Sequence, residues 1–152
     1  MGYNFGVGRQ APDFTLTSQD GDQVPLKQYR GEWSVILVFF ADDLAGAADS
    51  IAALSKAGTS LWGQRAQVVG VVHAAAAGVK RLSEEAGGAS FPLLVDDDGA
   101  VARAFGACDA AGAARNYVAI VDKAGKVVWV ADGRSAPVKL SEIVAGLREV
   151  VR

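Results

Sequence analysis

The sequence predicts an α/β protein: a central mixed sheet with helices on both faces, opened by an N-terminal β-hairpin. Two short, continuous apolar runs, Val35–Phe40 and Gln67–Val72, read as strands buried on both faces. Helical periodicity separates and follows them. Ile51, Leu54, Leu61 and Trp62 share one side of one segment, and Leu140, Ile143, Val144, Leu147, Val150 and Val151 mark another. Strands and helices alternating at this length pack as helices over the faces of a single sheet.

Taken in order, Phe14–Leu26 alternates apolar and polar residues around Asp20-Gly21, the signature of a short hairpin. The first buried strand is Val35–Phe40, and Leu44–Trp62 reads as the helix after it. A second strand, Gln67–Val72, precedes a short helix over Val79–Ala86 that Gly87-Gly88 terminates. Phe91–Val95 leads into the turn Asp96–Gly99, followed by a short helix around Val101–Phe105. Tyr117–Val121 and Val127–Val130 flank Asp122–Gly125 as a second hairpin, and a helix over Leu140–Val151 ends the chain. A β-α-β unit followed by a β-β-α ending is the thioredoxin-like arrangement.

The chain has 152 residues, 51% hydrophobic and 21% charged, and no repeat, linker or charge block divides it. One domain spanning residues 1–152 is expected, with a composition far from that of disordered chains. A net charge of -2 argues against nucleic acid or an anionic membrane as partner. The longest apolar run, Val35–Ala41, is far short of the roughly 20 residues of a membrane helix. Met1–Phe14 lacks the charged start and apolar run of a secretory leader, and Gly6 stands where a myristoylation signal needs Ser or Thr. A cytoplasmic protein is therefore expected. Cys108 and His73 are single, which excludes an intrachain disulfide, a zinc knuckle and a Cys-x-x-Cys pair.

Two motifs have their glycines or acids in misleading places. Gly6–Ala11 matches the glycine fingerprint of a dinucleotide site, but no strand precedes it and Pro12-Asp13 follows where a helix must start. Asp96-Asp97-Asp98-Gly99 suggests a calcium loop, yet Ala100 and Val101 lack the required ligand and glycine, so a solvated turn is expected. No metal and no cofactor are expected.

A longer series of landmarks spans the chain. Ala11-Pro12-Asp13-Phe14-Thr15-Leu16, Tyr29-Arg30-Gly31 and the strand Val35–Phe40 come first. Gly70-Val71-Val72, Phe91-Pro92-Leu93-Leu94-Val95-Asp96 and Val101-Ala102-Arg103-Ala104-Phe105-Gly106 follow. Arg115-Asn116-Tyr117-Val118-Ala119-Ile120-Val121-Asp122 completes the series. In these segments and their order the chain resembles the peroxiredoxins of the alkyl hydroperoxide reductase/thiol-specific antioxidant family. Its shortness is most similar to the one-cysteine and bacterioferritin-comigratory types.

That resemblance implies a thioredoxin-like fold, an antioxidant thiol peroxidase activity and a homodimer. It also implies a Pro-x-x-x-Thr-x-x-Cys motif where the first strand meets the next helix. There the Cys attacks the peroxide O–O bond as a thiolate, its pKa lowered by the helix N-terminus and an Arg. The Thr hydroxyl and the Arg orient the peroxide oxygens and stabilise the developing charge. Laid on this pattern, the chain has Ala41 at the Pro, Ala45 at the Thr and Ala48 at the Cys, with Arg115 kept. Asp42, Asp43, Asp49 and Ile51 also depart from the usual surroundings, as natural divergence leaves them and a single inactivating substitution does not. The resemblance therefore points to a pseudoenzyme, a peroxiredoxin-like binding or interaction module with a protein partner or small anionic ligand.

An Arg that no longer faces a thiolate needs another anion, because an unpaired buried guanidinium is costly. Asp43 or Asp49 is expected to pair with Arg115 and fill the old pocket; the alternative is that these acids form a solvated lip or cap the helix. Cys108 offers a second reading, a thiol oxidoreductase working through a relocated nucleophile paired with His73 at the C-terminal end of a parallel strand. The plainer reading is a small half-buried residue and a surface histidine. Trp33, Trp62 and Trp129 are expected in packing, or as anchors of an interface.

Overall fold

Every residue of β3 (Ser34–Phe40) is buried, because this apolar run lies at the middle of the sheet with strands on both sides. It pairs in parallel with β4 (Ala66–Val72) and antiparallel with β6 (Asn116–Val121). The computed structural model describes residues 7–41, 46–134 and 137–150. Around the central pair, β1 (Thr15–Ser18), β2 (Gln23–Pro25), β5 (Leu93–Val95) and β7 (Val127–Arg134) complete a seven-stranded sheet in the order β2-β1-β5-β4-β3-β6-β7. The β1–β2 hairpin turns at Gly21, whose φ of 87° belongs to the left-handed region that glycine adopts without a Cβ penalty.

Side-chain alternation sorts the strands' residues between two apolar layers. Ile36, Val38, Phe40, Val68, Val72, Val118 and Ile120 face α1 (Ala47–Gly63), α2 (Ala76–Glu85) and α4 (Leu140–Val150). Val35, Leu37, Phe39, Val69, Val71, Tyr117 and Ala119 face α3 (Ala100–Ala104) and the segment from Ala11 to Leu26. Helices therefore cover both faces, as the periodicity predicts. α4 sits close to the sheet because Gly146 lies under the Trp129 indole, where a Cβ would overlap the ring. Residues 8–11 run along the start of β7, with Gly8 N–H on Val127 O, Val127 N–H on Arg9 O and Ala11 N–H on Gly125 O. The segment around the glycine fingerprint is thus tied to a strand edge instead of opening a helix, although Gly6 itself lies outside the described residues.

Two expectations need correction. The helix expected over Leu44–Trp62 is described from Ala47, Leu44 and Ala45 lying outside the described residues, and its apolar side excludes Trp62. Ile51, Leu54 and Leu61 are buried, but Trp62 is 59% exposed, because it stands about 100° round the helix from Leu61, off the face against the apolar layer. The solvated turn at Asp96–Gly99 is solvated only at Asp97 and Asp98. Asp96 is 1% exposed, and its carboxylate accepts the N–H groups of Val101 at 3.2 Å and Ala102 at 2.9 Å. It satisfies two of the donors that the start of α3 leaves open.

Candidate functional site

β3 ends at Phe40, and the chain returns into α1 across a short connection. Asp42, Asp43 and Ala45 lie in that connection outside the described residues. Ala41, just after β3, donates its N–H to Asn116 Oδ1 at 3.0 Å. Gly46 precedes α1 with φ 74°, and Ala47 begins the helix with its side chain buried. Ala48, the next residue, is half-buried and packs its methyl against the apolar layer beneath α1, while Asp49 is exposed. A helix N-terminus favours a negative charge. At Ala48, however, the group presented there is a methyl, which can neither lose a proton nor attack an O–O bond.

Arg115 engages different partners from those expected of it. Its Nη2 lies 3.4 Å from Asp132 Oδ2 and donates to Gly106 O at 3.1 Å. Asp49 forms no ion pair with it, and Asp42 and Asp43 fall outside the described residues. The reason lies in the sheet register. Antiparallel pairing sets Tyr117 opposite Asp132, so the carboxylate stands beside the residue that follows Asn116 and within reach of the guanidinium. Alternation along β6 gives Asn116 the side shared by Val118 and Ile120, toward α1. Asn116, and not Arg115, is the side chain that holds the end of β3.

The arginine cluster keeps unused hydrogen-bonding capacity. Arg115 Nε and Tyr117 Oη are both buried and have no hydrogen-bond partner among the described residues. Burial pushes the Tyr117 phenol above its usual pKa; the Arg115 charge opposes that rise and the Asp132 charge adds to it. The Tyr117 ring packs edge-on to Phe39, which meets Phe105, and Phe105 in turn meets Phe14. With Asp132 balancing the guanidinium, the cluster carries little net positive charge, and its rings belong to the buried apolar layer.

Cys108 is half-buried in the loop between α3 and β6. It forms an isolated antiparallel bridge with Ala114, and Asp109 Oδ1 accepts the N–H groups of Ala111 and Ala113, so the loop is closed by its own backbone. His73 follows β4 and lies against Gly99, its Cε1 and Nε2 each 3.1 Å from where a Cβ would stand on that glycine, beside Arg103.

Sequence reasoning missed Asn116, Tyr117 and Asp132. The alternation of β6 contained the signal for the first two. Asp132 needed the hairpin register, which a bulge between the Asn116 and Tyr117 pairs shifts by one residue. Among the described residues, no group of three or more His, Cys, Asp or Glu is arranged to hold a metal ion, and no helix is long and apolar enough to cross a membrane.

Residues 7–130 match the AhpC/TSA family. Over 122 residues the chain is 30% identical to alkyl hydroperoxide reductase E of Mycobacterium bovis and of Mycobacterium tuberculosis, covering 78% of this chain and 80% of those proteins. The fold is similar to the crystal structure of peroxidoxin BcpB from Mycobacterium tuberculosis, with TM-score 0.82, 22% identity and coverage of 95% and 97% of the two chains. AhpC of Mycobacterium bovis is similar at TM-score 0.83 and 19% identity, covering 97% and 98%.

Proposed function

This chain belongs to the AhpC/TSA family, and we propose that it is a peroxiredoxin-fold protein that has lost thiol peroxidase activity and serves as a binding or interaction module. One observation carries the reading: Ala48 occupies the second position of α1, with its methyl against the apolar layer. A peroxidatic step needs a thiolate whose sulfur takes one peroxide oxygen, breaking the O–O bond and releasing the other as water or alcohol. Ala48 supplies no electron pair for that step, and Asn116, not a guanidinium, holds Ala41.

The binding surface in this reading centres on Arg115, which is partly exposed beside Asp132 at the start of β6. Because the guanidinium already has a carboxylate, an occupant meets the exposed part of the Arg115 side chain as a hydrogen-bond donor balanced by Asp132, which suits an acceptor such as the backbone carbonyl of a partner chain. A small anion would have to compete with Asp132. A homodimer and a cytoplasmic setting complete the proposal.

The test is peroxide consumption by purified protein, with hydrogen peroxide and an organic hydroperoxide, in the presence of excess dithiol. No turnover above the protein-free rate is expected, for the wild type and for Cys108→Ser alike. Turnover that disappears in Cys108→Ser would replace this reading with a thiol oxidoreductase working through Cys108. Turnover that survives the substitution would overturn both.

A further inference from the structure

We propose that the pole of the molecule remote from Ala41 carries a ligand site for a single pyranose ring of a neutral saccharide. The site lies where α1 ends and β4 begins, beside the loop before β5. β3 and β4 run in parallel, with Ser34 against Ala66 at this end and Phe40 against Val72 at the other. Seven residues of strand put the two ends roughly 20 Å apart, so this cleft is distinct from the surface around Arg115.

Ser55, Gly58, Thr59 and Trp62 recur at helical spacing on one face of α1 and form one wall of a cleft of about 270 Å³. That is close to the lower limit of small-molecule pockets, which suits one ring. Trp62 is 59% exposed, which is unusual for so large an apolar side chain. Trp33 supports the indole at a centroid distance of 5.3 Å and 32° tilt, and the Arg65 guanidinium sits 5.8 Å from the Trp33 ring. An aromatic platform is thus held in place at the mouth of a cavity.

Gly58 gives the cleft its depth. Glycine is a poor helix former, yet here it stands in the middle of α1. A Cβ at this position would lie 3.0 Å from Ser90 Oγ, narrowing the floor. Ser55 and Ser90 fix that floor to the next loop: Ser90 N–H donates to Ser55 Oγ at 3.1 Å, and Ser90 Oγ donates to Ser55 O at 3.2 Å. Gln67 Nε2 donates to Val68 O at 2.8 Å, leaving its Oε1 open as an acceptor. Thr59 is exposed, which leaves its hydroxyl accessible from the cleft.

The ligand class follows from this lining. Among the described residues no ionised side chain lines the cleft, so the ligand is neutral. An indole face attracts the positive edge of C–H groups, and the wall opposite offers hydroxyl and amide groups. A pyranose has both surfaces: a C–H face on one side and ring hydroxyls around its rim. An ordinary planar heterocycle lacks the rim hydroxyls, and a charged metabolite lacks a counter-ion here.

Titration of the full-length protein with methyl β-D-glucopyranoside, methyl β-D-galactopyranoside and maltose, followed by Trp fluorescence and backbone amide NMR shifts, tests the proposal. Saturable binding in the millimolar range is expected for at least one, with amide shifts at Thr59, Gln67 and Ser90. Trp62→Ala should weaken it by about tenfold or more. Gly58→Ala, which favours the helix and so keeps the fold, should weaken it as well, while Arg115→Met should leave it unchanged. The absence of saturation with all three sugars, equal affinity in Trp62→Ala, or saturation by adenosine in place of the sugars would each overturn the proposal. Loss of binding in Arg115→Met would also overturn it, by moving the site to the other pole.

Discussion

Replacing Arg115 with methionine asks whether this residue clamps the fold or waits for a ligand. The contact with Asp132 clamps the fold, and the exposed part of the Arg115 side chain is what the proposed binding surface uses. The Asp132 side chain is only 8% exposed, whereas that of Arg115 is 30% exposed. Removing one member of a fully buried ion pair costs about 3–5 kcal/mol, and removing one from the surface about 0–1 kcal/mol. The separation of 3.4 Å is longer than a tight charge-assisted contact. The hydrogen bond to Gly106 O adds a modest amount. Between these limits, Arg115→Met should cost about 2 kcal/mol, which for a domain of this size lowers Tm by about 4–8 °C. Urea unfolding of Arg115→Met, Asp132→Asn and the double variant measures the pair directly. If the two side chains interact directly, the coupling energy should be at least about 1 kcal/mol. Asp49→Ala should change stability by no more than about 0.5 kcal/mol. A coupling energy near zero, or an Arg115→Met protein as stable as wild type, would refute the claim that Asp132 holds the guanidinium.

Two further outcomes follow from buried polar groups. Tyr117→Phe removes a buried hydroxyl that has no partner among the described residues, so at neutral pH it should be neutral or stabilising by up to about 1 kcal/mol. The folded-state pKa of Tyr117 is raised above 10.0, mainly by burial, so the stability tied to its protonated form is complete below that value and is lost as pH rises through the folded pKa. Thermal stability should fall less steeply from neutral to strongly alkaline pH for Tyr117→Phe than for wild type, with Tyr29, also raised by burial, contributing to the slope that remains. An unchanged alkaline slope would contradict this account. Asp96→Ala should cost about 2–4 kcal/mol, since it strands two backbone N–H groups at the start of α3. Asp97→Ala, at an exposed neighbour, is the comparison, and equal midpoints for the two in urea would be inconsistent with the buried cap.

Much of the architecture is visible in the chain because the signals for it are local. β3 and β4 are continuous apolar runs, the two hairpins carry Asp-Gly and Gly-containing turns, and α4 repeats its apolar residues at helical spacing. Trp62 shows where periodicity runs out. Its spacing after Leu54 matches a buried face, but in the last turn of α1 Leu61 takes the place against the apolar layer and Trp62, about 100° further round the helix, is left exposed. Asp96 shows the reverse: it reads as one acid of an exposed trio, yet the chain turning into α3 brings two N–H donors onto its carboxylate.

The candidate site divides along the same line. Sequence alone determined that α1 begins without a thiol, because the identity of Ala48 needs no coordinates, and a methyl has no redox chemistry in any fold. It equally determined that the single Cys, Cys108, lies far along the chain from that helix. Only the tertiary structure decided what Arg115 does. Its partner is chosen by the β6–β7 register and its bulge, which bring Asp132 opposite Tyr117, while strand alternation gives Asn116 the place beside Ala41. Such pairings depend on contacts between segments remote in sequence, and no local pattern of residues encodes the register that makes them.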